Sequence, residues 1–337
     1  MDYISPSARQ YKANLHCHSN LSDGRLTPQA LIQAYQSQGY SILAITDHEA
    51  PYDHTAASSP DFLLLTGYEA YIRPSPDCRM DPFGPEIHLN LLAKEPHTTT
   101  LIAFDPNFCK YMPPDTAAQR RKAGDLGPRQ YNRAYIQRFI DTARDNGYLV
   151  TYNHPCWSME SQEDILSYDG CFSLELFNTG SMKISGSEYN LALYDQFLRR
   201  GKLLFCHGAD DNHNQVPLHD PLSDSFGAWT MLLAEELTYP AVIQALEQGR
   251  FYASTGPAIT CLTFEGRRVH LEFTEAARAI LHMSPKWALS AYDPRGGAIT
   301  QADFQIPDQV PYVYLSVIGA DGSQACTRAF SRAELGI

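Results

Sequence analysis

No apolar run in the 337-residue chain approaches the ~20 residues needed to span a bilayer, and residues 1–11 lack the apolar stretch of a secretory signal. A soluble, cytoplasmic protein is expected. The eight cysteines, at positions 17, 78, 109, 156, 171, 206, 261 and 326, include no Cys-x-x-Cys pair. That disfavours a disulfide framework or thiolate zinc knuckle and favours buried free thiols. Basic residues are too few for a nucleic-acid coat: 26 Lys and Arg face 38 Asp and Glu, for a net charge of −12. A long polyanion or an anionic membrane is an unexpected partner, and a small molecule is the expected one. Glycine-rich phosphate loops, a dinucleotide fingerprint and a serine nucleophile elbow are also missing, which disfavours nucleotide-driven and acyl-serine chemistry.

What is present is a rhythm of strands and helices. Residues 11–15, 41–45, 62–65, 89–93, 148–152, 171–177 and 202–206 read as short apolar strands, several too continuously apolar to have a wet face. Thr27-Pro28 marks a helix start, and Gly39, Gly147, Gly201 and Gly249 mark helix ends. Seven parallel βα units predict an α/β fold, a closed or nearly closed barrel. Residues 104–130, rich in Pro and Gly, are expected to pass over the barrel mouth. Past Gly256-Pro257 the pattern changes to short strands at 269–273, 279–282, 289–292 and 310–317. The expected division is a metal-binding barrel over 1–258 and a small all-β module over 259–337.

Polar residues gather at the strand ends. His16 and His18 alternate across Cys17, so both imidazoles share one strand face while Cys17 points into the core. Asp23, His48, Glu69, His88, His154, and Asp211 with His213 follow at or near later strand ends, on the face where such barrels place their active sites. His88 fits least well, because it precedes its apolar run. Packed together, these carboxylates and imidazoles require cations between them.

The motifs His16-Cys17-His18, Ser22-Asp23-Gly24, Thr46-Asp47-His48, Glu69, His88, Asn153-His154-Pro155 and Asp211-Asn212-His213 resemble the set of the PHP (polymerase and histidinol phosphatase) superfamily. The resemblance implies a distorted (β/α)7 barrel holding two or three Zn, Mn or Fe ions. It would place His16, His18, Glu69 and Asp211 on one ion, Glu69, His88 and His154 on a second, and Asp23, His48 and His213 on a third. Residues 249–257 with the following β module resemble the carbaryl-hydrolase-like branch. Asp210 stands beside Asp211, and Cys156-Trp157 follows His154-Pro155 where phosphatase-type relatives often carry an arginine.

Three divalent ions and three carboxylates leave a formal charge of about +3, a field that draws an anion. The expected activity is hydrolysis of a small phosphate ester by a metal-bridging hydroxide, with the general acid unassigned. Arg73, Trp157 and Lys183 are the candidate substrate-binding residues. Trp157 also favours an alternative, hydrolysis of a carbamate or carboxylic ester with an apolar group. A third reading is a non-catalytic module stabilised by metals, which would show closed coordination.

Overall fold

The computed structural model describes residues 1–74 and 81–337, so Cys78 lies outside the described residues. Seven strands surround the first core: β1 (Gln10–Asn14), β2 (Ile42–Ile45), β3 (Leu63–Ile72), β4 (Ile87–Ala93), β5 (Tyr148–Tyr152), β6 (Ser173–Asn178) and β7 (Phe205–Ala209). Every residue of β3 and β4 is buried, their apolar majority together with the polar Thr66, Glu69, His88 and Asn90. Adjacent strands pair in the order β7-β6-β5-β4-β3-β2-β1. The seam between β1 and β7 is closed by a parallel bridge from Cys17 to Asn212 and by the Asp211 N–H donating to the His16 carbonyl at 2.9 Å. Gly208 permits close approach there, since a Cβ at that position would sit 2.8 Å from the Trp229 carbonyl oxygen.

One expectation fails. The strands are not all parallel, because β4 runs antiparallel to both β3 and β5. The connection from β3 to β4 contains no described helix, so the chain turns back rather than crossing over. The link from β2 to β3 holds only the short 3-10 turn Thr55–Ala57. Elsewhere helices supply the outer layer. In α1 (Pro28–Ser37) the Thr27 hydroxyl accepts the Ala30 N–H at 3.2 Å, and Gly39 and Gly147 adopt φ of +74° and +86° at helix ends. Helix α2 (Arg133–Asp145) buries Ile136, Phe139 and Ile140 against Leu89, Leu91 and Val150 of the barrel wall.

Beyond β7, β8 (Trp229–Leu233) pairs antiparallel with β1, and β9 (Phe251–Ser254) pairs with β8. The later strands are β10 (Ile259–Glu265), β11 (Arg268–Ala276), β12 (Arg278–Ser284), β13 (Trp287–Ala291), β14 (Ile299–Gln305), β15 (Tyr312–Ile318) and β16 (Gln324–Thr327). They form two antiparallel layers. One continues the barrel sheet as β9-β16-β15-β12-β13, and the other runs Asp2–Ile4, β10, β11 and β14. Between the layers Leu262, Leu271, Phe273, Leu281, Phe304, Leu315 and Phe330 make a second core. The barrel and the sandwich therefore share a continuous sheet, and the N-terminal strand lies with the sandwich.

The irregular stretch 104–130 is tied to the barrel by a buried ion pair. The Arg129 guanidinium donates to both Glu49 carboxylate oxygens and to the Tyr71 carbonyl at 2.7 Å, with both charged side chains fully buried. Glu49 directly follows His48, so this clamp fixes the backbone beside one of the candidate ligands. Removing one partner strands a charge in the interior. Arg129→Met is expected to lower unfolding free energy by about 3–5 kcal/mol in urea denaturation. Unchanged stability would show that Glu49 finds another cation.

Candidate metal centre

All nine acids and imidazoles singled out from the sequence meet at one rim of the barrel. His16 Nε2 and His18 Nε2 lie 3.0 Å apart, each 3.1 Å from Asp211 Oδ1. Glu69 Oε1 is 3.2 Å from His16 Nε2, 3.1 Å from His88 Nδ1 and 3.3 Å from His154 Nε2. Glu69 Oε2 is 3.3 Å from His18 Nε2 and 3.1 Å from His48 Nδ1. Asp23 faces His48 Nε2 at 3.5 Å and His213 Nε2 at 3.4 Å. Three groups of potential ligands result: His16, His18, Glu69 and Asp211; His48, Glu69 and His88; and His18, Asp23, His48 and His213.

Strand direction explains the position of His88. Because β4 is antiparallel, its start lies at the rim where parallel strands end, and His88 pairs in register with Tyr71, two residues beyond Glu69. A period of two puts Glu69, Tyr71 and His88 on one face. Glu69 thus lies within the long strand β3 rather than beyond its end. The choice between adjacent aspartates also has a geometric basis. Asp211 turns toward the imidazoles at a positive φ of 53°, whereas Asp210 points away and accepts from Tyr35, Thr179 and the Phe226, Gly227 and Ala228 N–H groups.

Among the surrounding polar residues, Glu175, Asn178 and Glu86 were not evident in the sequence. Glu175, fully buried on β6, lies 2.7 Å from His16 Nδ1 and accepts the His154 N–H at 2.9 Å. Its one signal is an acid inside the apolar run Ser-Leu-Glu-Leu-Phe, a placement that requires a partner. Asn153 donates to Glu69 at 2.6 Å and Asn178 to Asp211 at 3.2 Å. Glu86 bridges His88 Nε2 at 3.0 Å and Arg73 at 3.0 Å. Below the cluster His207 is buried against Ser173, at 2.8 Å. Cys17 packs with Leu31, Tyr35 and Leu43, as expected of a core thiol.

Burial drives His48 down to about 3, aided by the neighbouring His18 and opposed by Glu69 and Asp23. Burial also disfavours protonated His18 and His88, but carboxylates outweigh it. Asp211 and Glu69 push His18 up to about 10, and Glu69 and Glu86 do the same for His88. The imidazoles in turn overcome burial to hold Asp23 and Asp211 well below the usual carboxylate range. Protons here serve as the counter-charge for clustered acids. They serve it poorly, since His18 Nδ1, His48 Nδ1 and Glu69 Oε2 are buried without a hydrogen-bond partner. Imidazole nitrogens and carboxylate oxygens converging with unused lone pairs fit a set of divalent cations.

The cluster opens into a cavity of about 820 Å³ whose lining includes Arg73, Trp157 and Lys183, together with Lys110 and Tyr111 from the irregular stretch. The Trp157 ring lies 4.8 Å from that of His88 and 4.9 Å from that of His154. His54 and His97 do not line it, and His97 instead pairs with Asp53 at 2.7 Å. The basic run at 120–122 is also elsewhere: Arg120 donates to Thr99 and Lys122 to the Ala117 carbonyl. No helix among the described residues is long and apolar enough to cross a membrane.

Comparison with known proteins agrees with the motif resemblance over part of the chain. Residues 14–122 match the PHP domain family. A curated relative, the 5'-3' exoribonuclease of Haemophilus influenzae, is 42% identical over 62 residues, which are 17% of this chain and 23% of that protein. The aligned stretch thus spans less than a quarter of the relative. One similar solved structure is a two-domain protein of Bacteroides vulgatus containing a predicted PHP-like metal-dependent phosphoesterase. It has 15% identity and a TM-score of 0.45, with 97% of this chain and 96% of that chain covered. Another is an amidohydrolase of Chromobacterium violaceum with bound sulfate and no metal, at 18% identity and a TM-score of 0.38, covering 60% of this chain and 87% of that one.

Two outcomes follow from the electrostatics. A raised imidazole pKa means tighter proton binding in the folded chain. Its stabilisation is complete below the unfolded value of 6.5 and drains away as pH rises toward about 10. Metal-free protein should therefore lose thermal stability across that window. Protein loaded with Mn or Zn should gain it, because cations need the neutral rings. Parallel melting curves for the two forms would contradict the cluster's metal fit. Glu175→Gln, which weakens the hold on His16 Nδ1, should reduce metal affinity about 10- to 100-fold in competition with a fluorescent chelator.

Proposed function

We propose that this protein is a metal-dependent hydrolase that cleaves a small phosphate ester at the barrel rim. One observation carries the reading: a single buried carboxylate, Glu69, is shared among ligand groups that face a cavity large enough for a small molecule. The nine residues from His16 to His213 would hold two or three ions. Divalent ions supply Lewis acidity when bound, bringing a water's pKa toward neutrality and neutralising phosphoryl charge.

The chain's own groups do the remaining work. Glu175 holds His16 by Nδ1 and Glu86 holds His88 by Nε2, so each ring presents its other nitrogen to Glu69. Lys110, Lys183 and Arg73 line the cavity together with Asp23, Glu69, Glu86, Asp211 and Asp224, and Arg73 is paired with Glu86, so the bound cations would supply most of the charge that draws an anionic substrate. Trp157 covers one side of the imidazole cluster and limits its access to bulk water. An exoribonuclease also cleaves a phosphate ester, which makes a short oligoribonucleotide a reasonable test substrate.

A second reading keeps the cluster and changes the scissile bond to that of a carbamate or carboxylic ester. It is favoured by the Trp157 ring against two candidate ligands and by the resemblance of residues 249–257 to the carbaryl-hydrolase-like branch. The test is one assay panel of phosphomonoesters, a short oligoribonucleotide and aryl carbamates, run with Mn or Zn. Inorganic phosphate should be released from a monoester. Release should fall by at least about 100-fold in His16→Ala and in Glu69→Ala, and with chelator. Turnover of the carbamates alone would replace the first reading by the second, and undiminished turnover in both variants would reject both.

A further inference from the structure

The cavity's outer wall is apolar in a way the hydrolytic cluster does not require. Ile184 and Leu222 are 79% and 65% exposed, yet both line the cavity together with Val216, Tyr111 and Trp157. Ile184 belongs to the short helix Thr179–Ser185, and Leu222 to the loop after β7. The two segments are joined by Lys183, whose ammonium donates to the Pro221 carbonyl at 2.8 Å. The backbone that carries Trp157 is also held. Glu188, fully buried, accepts the Cys156 and Trp157 backbone N–H groups, both at 3.0 Å. The lining therefore combines Trp157, held beside the imidazoles, with the exposed Ile184 and Leu222 on two segments joined by a hydrogen bond.

We propose that this lining selects substrates whose organic half is apolar, an alkyl or aryl group, while the phosphoryl group faces the cluster. The proposal rests on the phosphoester reading above. A sugar or nucleoside half would need several directed hydrogen bonds, whereas of the polar groups beside this wall Lys183 already donates to the Pro221 carbonyl, Gln215 donates to the Asp23 carbonyl, and Asp224 accepts the His213 and Asn214 N–H groups. Large apolar side chains left open to water beside a catalytic cluster are explained by a ligand that covers them during turnover. In the hydrolysis a water oxygen bonds to phosphorus and the bond from phosphorus to the ester oxygen breaks. That oxygen takes one proton and leaves as the apolar alcohol or phenol.

The test is a homologous series from methyl to hexyl phosphate, with the matching alkyl phosphonates, which carry no scissile ester, as equilibrium ligands. Metal-loaded protein should show kcat/KM rising about threefold per added methylene over the first few members. Phosphonate affinity, read by isothermal titration calorimetry, should rise with a similar slope. In the surface double variant Ile184→Ser, Leu222→Ser both slopes should flatten. Trp157→Ala should flatten them at the shortest chains. Esters hydrolysed at rates independent of chain length, with equal phosphonate affinities, would overturn the proposal and leave the phosphoesterase reading standing. A steep phosphonate slope with no phosphate released from any ester would overturn the phosphoesterase reading and retain the apolar subsite.

Discussion

The arrangement depends on one side chain buried against its electrostatic preference. Glu69 lies within the fully buried strand β3 with no solvent exposure, and imidazoles from four other segments point at its two oxygens. An ionised carboxylate in such a place is tolerable only with cationic partners. That single requirement draws β1, β2, β4 and the turn after β5 to a common point. The Glu175 and Asn153 contacts then limit how those side chains can rotate. Positive φ angles at His154 and Asp211, 22° and 53°, show that the backbone also bends away from its relaxed geometry at the ligand positions.

Much of this was readable before any coordinates. Continuously apolar strands have few alternatives to a sheet covered on both faces, so the seven barrel strands stood out. The His16-Cys17-His18 alternation predicted which ring faces inward, because a strand's period allows only one answer. Strand direction was less accessible. A run such as Leu89–Ala93 looks the same in either orientation. The misfit of His88 was the trace of the strand's reversal. The supporting acids were harder still, because Glu175 and Glu86 gain meaning only from neighbours remote in sequence. In the sandwich, β10, β14 and β16 were missed, since their mixed polar and apolar composition resembles ordinary surface segments.

The same physics links the cluster to its surroundings. Arg129 neutralises Glu49 next to His48, and Tyr111, from the same irregular stretch, stacks near the His48 ring at 6.3 Å. The segment that interrupts the strand and helix rhythm thus helps shape the cavity. On the opposite side, Glu188 fixes the backbone at Trp157, and the Lys183 contact joins two loops across the opening. Polar contacts hold the frame, and the cavity lining joins the charged cluster to the apolar side chains of Trp157, Val216, Ile184 and Leu222. That pairing is what the proposed substrate, anionic at one end and apolar at the other, requires.

The most direct test is anomalous diffraction from crystals grown with Mn, recorded at energies on either side of the metal edge. The account predicts two or three peaks inside the ring formed by His16, His18, His48, His88, His154 and His213, with Glu69 adjoining more than one. A site that stays empty at saturating Mn while these rings keep direct contact with the carboxylates would contradict it, as would a lone peak remote from Glu69.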